Sequence, residues 1–301
     1  MAEVFGSDGT WSLDGDVVRI VPGTGRRVGG LRRALGEIEV PVQALAGVAH
    51  EPGRRGGRLR LRLRPGADPL TQVAAGRLPE ASDPYRLAVA ADRNGVSEYF
   101  ADELRTVMAL EQVPSAPSDR YLMPGPSVPL TATSPDGSVE FDGDRIRLAW
   151  RWGAESSKSS AGHREFTVGD LVGVDWEPAA GLGYGRLSFR REAGGGDLLP
   201  EHDPYSLRLW GFDKENWGTL LVAAAVAARL RHPYAPPLPE GGPVRELPAA
   251  PADSDSEVLL RRLRELGELH RDGVLTDEEF TEAKKPLLAR LRAANSGDGA
   301  A

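Results

Sequence analysis

The sharpest alternation of apolar and polar positions in the chain is Arg58-Leu59-Arg60-Leu61-Arg62-Leu63-Arg64. Its period of two predicts a β-strand with three leucines on one face and four arginines on the other. Shorter runs of the same kind occur at Val17-Val18-Arg19-Ile20, Ile38 to Val42 and Leu45 to Val48. Asp83-Pro84-Tyr85-Arg86-Leu87-Ala88-Val89 predicts a further strand entered through a proline turn. The period then changes: Phe100, Leu104, Val107 and Met108 fall at i, i+4, i+7 and i+8, which predicts one face of a helix from Phe100 to Leu110, with Ser97 as its N-cap.

These signals recur in the same order. Leu13-Asp14-Gly15-Asp16 returns 128 residues later as Phe141-Asp142-Gly143-Asp144. An Asp-Gly pair followed by alternating positions marks a tight hairpin, because both residues tolerate positive φ. Leu45-Ala46-Gly47-Val48 with Glu51-Pro52 matches Leu171-Val172-Gly173-Val174 with Glu177-Pro178. Gly57-Arg58-Leu59 matches Gly185-Arg186-Leu187, and Asp83-Pro84-Tyr85 matches Asp203-Pro204-Tyr205. The closing helix matches Trp217 to Leu230. Matched blocks in one order predict a tandem duplication, with length differences absorbed in loops. Trp210 and Trp217 are expected in the core of the second copy, and Trp152, beside a Ser/Gly loop, as an exposed contact.

Past the second copy, a Pro/Ala-rich stretch gives way to a Leu/Arg/Glu-rich one. Leu259, Leu263, Leu266 and Leu269 line a first helix, and Asp272-Gly273 ends it. Val274 and Leu275 lead to Thr276 and Glu279, a capping box opening a second helix with Phe280, Leu287, Leu288 and Leu291 on its apolar face. Two such helices cannot bury their stripes alone, so these ten apolar residues are candidate oligomerisation or docking contacts.

The 301 residues are 40% hydrophobic and 27% charged, which is ordinary for a chain with packed cores. There is no cysteine, which excludes disulfides, thiolate catalysis and Cys-ligated zinc. The N-terminus lacks the basic and apolar blocks of a signal peptide, and Leu220 to Ala228, the most apolar run, is about half a membrane span. A cytoplasmic protein is expected, at the inner membrane face if it meets lipid.

The net charge of −7 hides an asymmetry: residues 19–64 carry eleven arginines against Glu37, Glu39 and Glu51. Arg26, Arg27, Arg32, Arg33, Arg54 and Arg55 are therefore candidate contacts for an anion or a lipid headgroup. The competing reading is a solvated arginine face enlarged by coding bias, and the globally acidic chain argues against nucleic acid. No catalytic residue, cofactor or metal is expected. The five histidines show no metal-ligand spacing, the Gly-rich loops lack a Gly-Lys-Ser/Thr ending, and Asp272-Gly273 with Glu279 would put EF-hand ligands inside a helix.

Leu263 through Phe280, with its Gly-Val-Leu-Thr turn and acidic pair, resembles the bacterial short C-terminal domain, SHOCT; Pro286 departs from that pattern. The two upstream copies, with the Asp-Gly-Asp hairpin and the Asp-Pro-Tyr strand, resemble the actinobacterial domain of unknown function 4429. That resemblance implies a mainly β, α+β chain: two PH-like small barrels, each closed by a C-terminal helix, then a two-helix hairpin. The expected divisions are repeat 1 at 1–113, a Pro-rich linker at 114–135, repeat 2 at 136–234, a Pro/Ala-rich linker at 235–255, the hairpin at 256–293 and a tail at 294–301. The functional expectation is a non-enzymatic interaction or scaffold protein that binds protein partners, itself included, through residues 256–293. The alternative is peripheral binding of anionic lipid, or another phosphorylated ligand, through repeat 1.

Overall fold

The computed structural model describes residues 2–25, 28–151, 155–179, 183–191, 202–210 and 217–236. The expected C-terminal hairpin, with all its candidate docking residues, lies outside these, as do Trp152 and the 237–255 part of the expected linker.

Residues 2–110 build two antiparallel sheets and a helix. Strands β1 (Ala2–Phe5), β2 (Gly9–Asp14), β3 (Val17–Pro22) and β4 (Ile38–Pro41) pair in chain order. A 3-10 turn at Val42–Ala44 leads into β5 (Leu45–Glu51), β6 (Gly57–Leu63) and β7 (Arg86–Val89). Helix α1 (Gly30–Leu35) connects β3 to β4, α2 (Pro69–Ala74) lies between β6 and β7, and α3 (Asn94–Leu110) closes the copy.

The second copy repeats the plan. Strands β8 (Leu130–Thr133), β9 (Gly137–Phe141), β10 (Arg145–Trp150) and β11 (Arg164–Thr167) form one sheet, with α4 (Ser156–Ala161) between the last two. Strands β12 (Leu171–Glu177), β13 (Gly185–Arg191) and β14 (Ser206–Leu209) form the other, and α5 (Trp217–Ala227) follows. The two copies even share a β-bulge: register slips between Leu45 and Gly47 in β5 and between Leu171 and Gly173 in β12.

Several expectations need correction. Among the described residues the sheets do not close into barrels. Across the gap between β1–β2 and β7, the Ser7-Asp8 turn supplies one backbone bond and two side-chain bonds, all to Ala88, instead of a ladder. Strand β8 falls inside the segment expected as linker, because its four residues, Leu-Thr-Ala-Thr, are too short to stand out among prolines. Ser97 sits within α3, which begins at Asn94, and its hydroxyl donates back to the Arg93 carbonyl. Arg64 is buried, donating to the carbonyls of Gln43, Ala116 and Pro117. Trp217 is buried as expected, but Trp210 is 55% exposed: Leu207 and Leu209 take the inward positions, so period two turns residue 210 outward.

Repeat 1 has a core of its own, in which Trp11, Leu59 and Leu87 of the sheets meet Phe100 and Leu104 of α3. The core of repeat 2 also takes in Leu31 from α1 and Leu70, Val73 and Ala74 from α2. This borrowing explains α5. Ten of its eleven residues are buried, because its own sheets cover one side and α2 packs against another. The linker joins the same seam: at Gly125 a Cβ would lie 2.6 Å from Cβ of Ala228, so only glycine permits this approach to the end of α5. Residues 1–236 form one compact unit.

Candidate functional site

The expected arginine cluster does not form a single patch. Arg26 and Arg27 lie outside the described residues. Arg32, on α1, is buried, and its Nη1 donates to Asp8 Oδ2. Arg33 is its exposed neighbour. Arg54 and Arg55 are exposed in the β5–β6 turn, which Asn94 ties to the start of α3 by donating to the Gly53 carbonyl. Two of the three arginines on the outer face of β6 have acidic partners: Arg58 pairs with Glu80 at 2.7 Å and Arg60 with Asp83 at 3.7 Å.

The contact between Asp8 and Arg32 has a counterpart in the second copy. Asp8, in the β1–β2 turn, accepts the Ala88 amide proton of β7 through Oδ1. Asp136, in the β8–β9 turn, accepts from the Arg208 amide of β14 at 3.0 Å and from Lys158 Nζ at 2.8 Å. Lys158, on α4, is fully buried, also donates to the Ser206 carbonyl, and stands 5.2 Å from the Trp150 ring centroid. In both copies a carboxylate in the first turn thus ties a cation from the helix after the third strand to the last strand. Sequence reasoning missed this pairing. Its signal was available as Asp8 with Asp136, 128 apart, and Arg32 with Lys158, 126 apart, but Arg and Lys had to be read as one role.

The Asp-Pro-Tyr turns are likewise shared, Asp83 Oδ1 and Asp203 Oδ1 each accepting from the amide of the tyrosine two residues on, at 2.9 Å. The tyrosines then diverge. Arg191 donates to the Tyr205 hydroxyl, whereas the Tyr85 hydroxyl donates to Asp68 Oδ2 at 2.8 Å. Asp68 also caps α2, accepting from the amides of Leu70 and Thr71 at 3.0 Å. Burial pushes the Asp68 carboxyl above its ordinary range, and these hydrogen bonds only partly oppose the shift. The Tyr85 hydroxyl is pushed well up by burial and by Asp68. At the hairpin, Asp142 Oδ1 accepts from the amides of Asp144 and Arg145, which lowers its pKa, so this aspartate serves the turn's geometry.

Asp68 and Tyr85 form part of the wall of a cleft of about 480 Å³ beside β4. Its apolar wall includes Leu35, Ile38, Leu70 and Met123, and the linker residues Pro124–Ser127 line it as well. Its charged lining residues are Glu37, Glu39 and Asp68, with no basic side chain among them. Arg19, across the outer face of the sheet, pairs with both glutamates at 3.2 Å. In the second copy the notable surface is aromatic: exposed Tyr184 and Trp210 have ring centroids 6.3 Å apart, and the Arg208 guanidinium stacks 4.8 Å from the Tyr184 ring. Among the described residues no group of three or more His, Asp or Glu is arranged to hold a metal, and no helix is long and apolar enough to cross a membrane.

Two structurally equivalent copies joined through one seam define a tandem-module protein. The chain belongs to the family described as Domain of unknown function (DUF4429), whose model matches residues 11–105 and 139–227, together more than half of the chain. The Short C-terminal domain (SHOCT) model matches residues 261–288. Comparison with curated proteins gives no match.

Proposed function

We propose that this protein is a non-enzymatic scaffold in which two PH-like modules form one rigid platform, and the short C-terminal domain provides self-association or docking. The sequence of four strands, three strands and a helix in each copy supports the PH-like reading. The observation that carries the proposal is the shared core: Leu70, Val73 and Ala74 of repeat 1 are packed into the core of repeat 2. A seam of this kind holds the outer faces of both copies at a fixed spacing, which suits presentation of binding surfaces. The buried polar groups that stand out, Asp68, Asp136 and Lys158, are engaged in caps and ion pairs, an arrangement that serves the fold.

Sedimentation velocity of the full chain against a chain ending at Pro251 tests the tail. The full chain is expected to sediment as an oligomer and the shortened one as a monomer, with equal thermal unfolding of both as the control. Monomers in both cases refute self-association. Anionic lipid binding through repeat 1 gains no support from Arg32, whose charge is engaged by Asp8.

A further inference from the structure

We infer that the open edge of β4 is a docking site for an extended, basic peptide segment, which adds to the first sheet as a fifth strand. This rests on the reading of the protein as an interaction module and names the chemistry of a partner.

β4 pairs with β3 on one side and is the sheet's edge among the described residues. The Val42 amide donates to the Asp16 carbonyl, and the register pairs Val40 with Val18 and Ile38 with Ile20. Those residues direct their backbone groups at β3. In an antiparallel ladder the intervening residues point theirs the other way. The N–H and C=O of Glu39 and the C=O of Pro41 therefore point away from β3, and a strand about 4.8 Å beyond β4 would meet them; both residues also line the cleft.

The side chains select the occupant. The buried side of the cleft combines apolar Leu70 and Met123 with the Asp68–Tyr85 pair, half-buried Ile38 adds to its apolar lining, and its exposed charged residues are Glu37 and Glu39. A segment alternating apolar and basic residues satisfies both the apolar lining and the glutamates, since side chains along a strand alternate between faces. One guanidinium, Arg19, serves both glutamates, so the pair keeps a net negative charge. A second copy of this chain is a poor occupant, because two-fold pairing of β4 with itself sets glutamates against glutamates. Recognition of an exposed sheet edge by an extended peptide is a general mode, with backbone bonds giving affinity and alternate side chains giving selectivity.

The test is a titration of a fluorescein-labelled valine–lysine alternating hexapeptide with the full chain, followed by anisotropy. Three comparisons accompany it: the valine–glutamate hexapeptide, the lysine peptide N-methylated at alternate amides, and the Glu37→Gln/Glu39→Gln double variant. Both glutamates are exposed, so unchanged thermal unfolding certifies the variant's fold. Saturable binding of the lysine peptide is expected, weakened about tenfold or more by the double substitution or by N-methylation. Absence of saturation overturns the proposal, as does equal affinity for the double variant, the N-methylated peptide or the glutamate peptide. Self-association of the full chain that Glu39→Pro abolishes assigns the edge to a second copy and overturns it too. Sedimentation reads the tail and this titration reads β4, so the two proposals fail separately.

Discussion

Lys158 Nζ lies 2.8 Å from Asp136 Oδ2 with neither side chain more than 2% exposed, and Arg32 stands in the same relation to Asp8 one repeat earlier. An unpaired buried charge is costly, whereas a paired and hydrogen-bonded one is tolerated. Lys158→Met is therefore expected to destabilise the protein by about 3 kcal/mol. That is the low end for such a break, because Arg208 Nη2 stays 3.3 Å from Asp136 Oδ1. Adding Asp136→Asn is expected to recover about 1 kcal/mol at most, because it removes a buried charge that Arg208 still partly offsets. Urea denaturation of the two single variants and the double variant measures both effects.

Arg32 and the Arg54/Arg55 pair separate a structural arginine from surface ones. Arg32→Met is expected to cost about 1–3 kcal/mol, since it strands the largely buried Asp8 carboxylate. Arg54→Glu/Arg55→Glu is expected to stay within about 0.5 kcal/mol of the parent, both positions being exposed. Equal losses in thermal or urea unfolding would refute the distinction.

Asp68 makes stability depend on pH in a sense opposite to that of most carboxylates. Burial raises its pKa in the folded chain, so above about pH 4 the unfolded chain loses this proton first. Stability attributable to Asp68 is thus greatest below the unfolded value and falls as pH rises through the folded one. The stability of wild type minus that of Asp68→Asn is expected to decline across that window, read from urea midpoints at successive pH values. Asp68→Ala is expected to cost about 1–3 kcal/mol by uncapping α2 and stranding the Tyr85 hydroxyl.

Leu70 belongs to repeat 1 by sequence and to the core of repeat 2 by packing. Leu70→Ala is expected to cost about 2–5 kcal/mol. It is also expected to lower the stability of both repeats together, visible as one cooperative transition reported alike by backbone circular dichroism and tryptophan fluorescence. Two separated transitions would mean that the seam does not couple the copies.

Much of the fold is legible in the sequence because its signals are local. The period-two run in β6, the Asp-Gly hairpins and the Asp-Pro-Tyr turns each depend on backbone preferences a few residues wide, and the two copies corroborate one another. The elements that escape are those with short or weak patterns: β1, β8, β11, α1, α2 and α4. Helix α2 is only six residues long and is set by Asp68 reaching the Leu70 and Thr71 amides, a cap recognisable only once the following turn is known. Trp210 shows the limit of composition as a guide, since a tryptophan goes where strand parity sends it. The Asp–cation ties were half legible, as recurring residues whose meeting across more than twenty positions no local rule predicts.

By itself the sequence determined that this is a duplicated, mainly β chain with a distinct C-terminal segment, because repetition, periodicity and turn chemistry are written in residue order. Tertiary structure decided which groups remain available. It removed Arg32 from the surface by giving it Asp8, placed α2 of one copy in the core of the other, and, among the described residues, left the outer edge of β4 unpaired beside a cleft whose charged side chains are all acidic. Burial, pairing and strand order depend on contacts between residues far apart in the chain, and those are fixed only when the whole core packs.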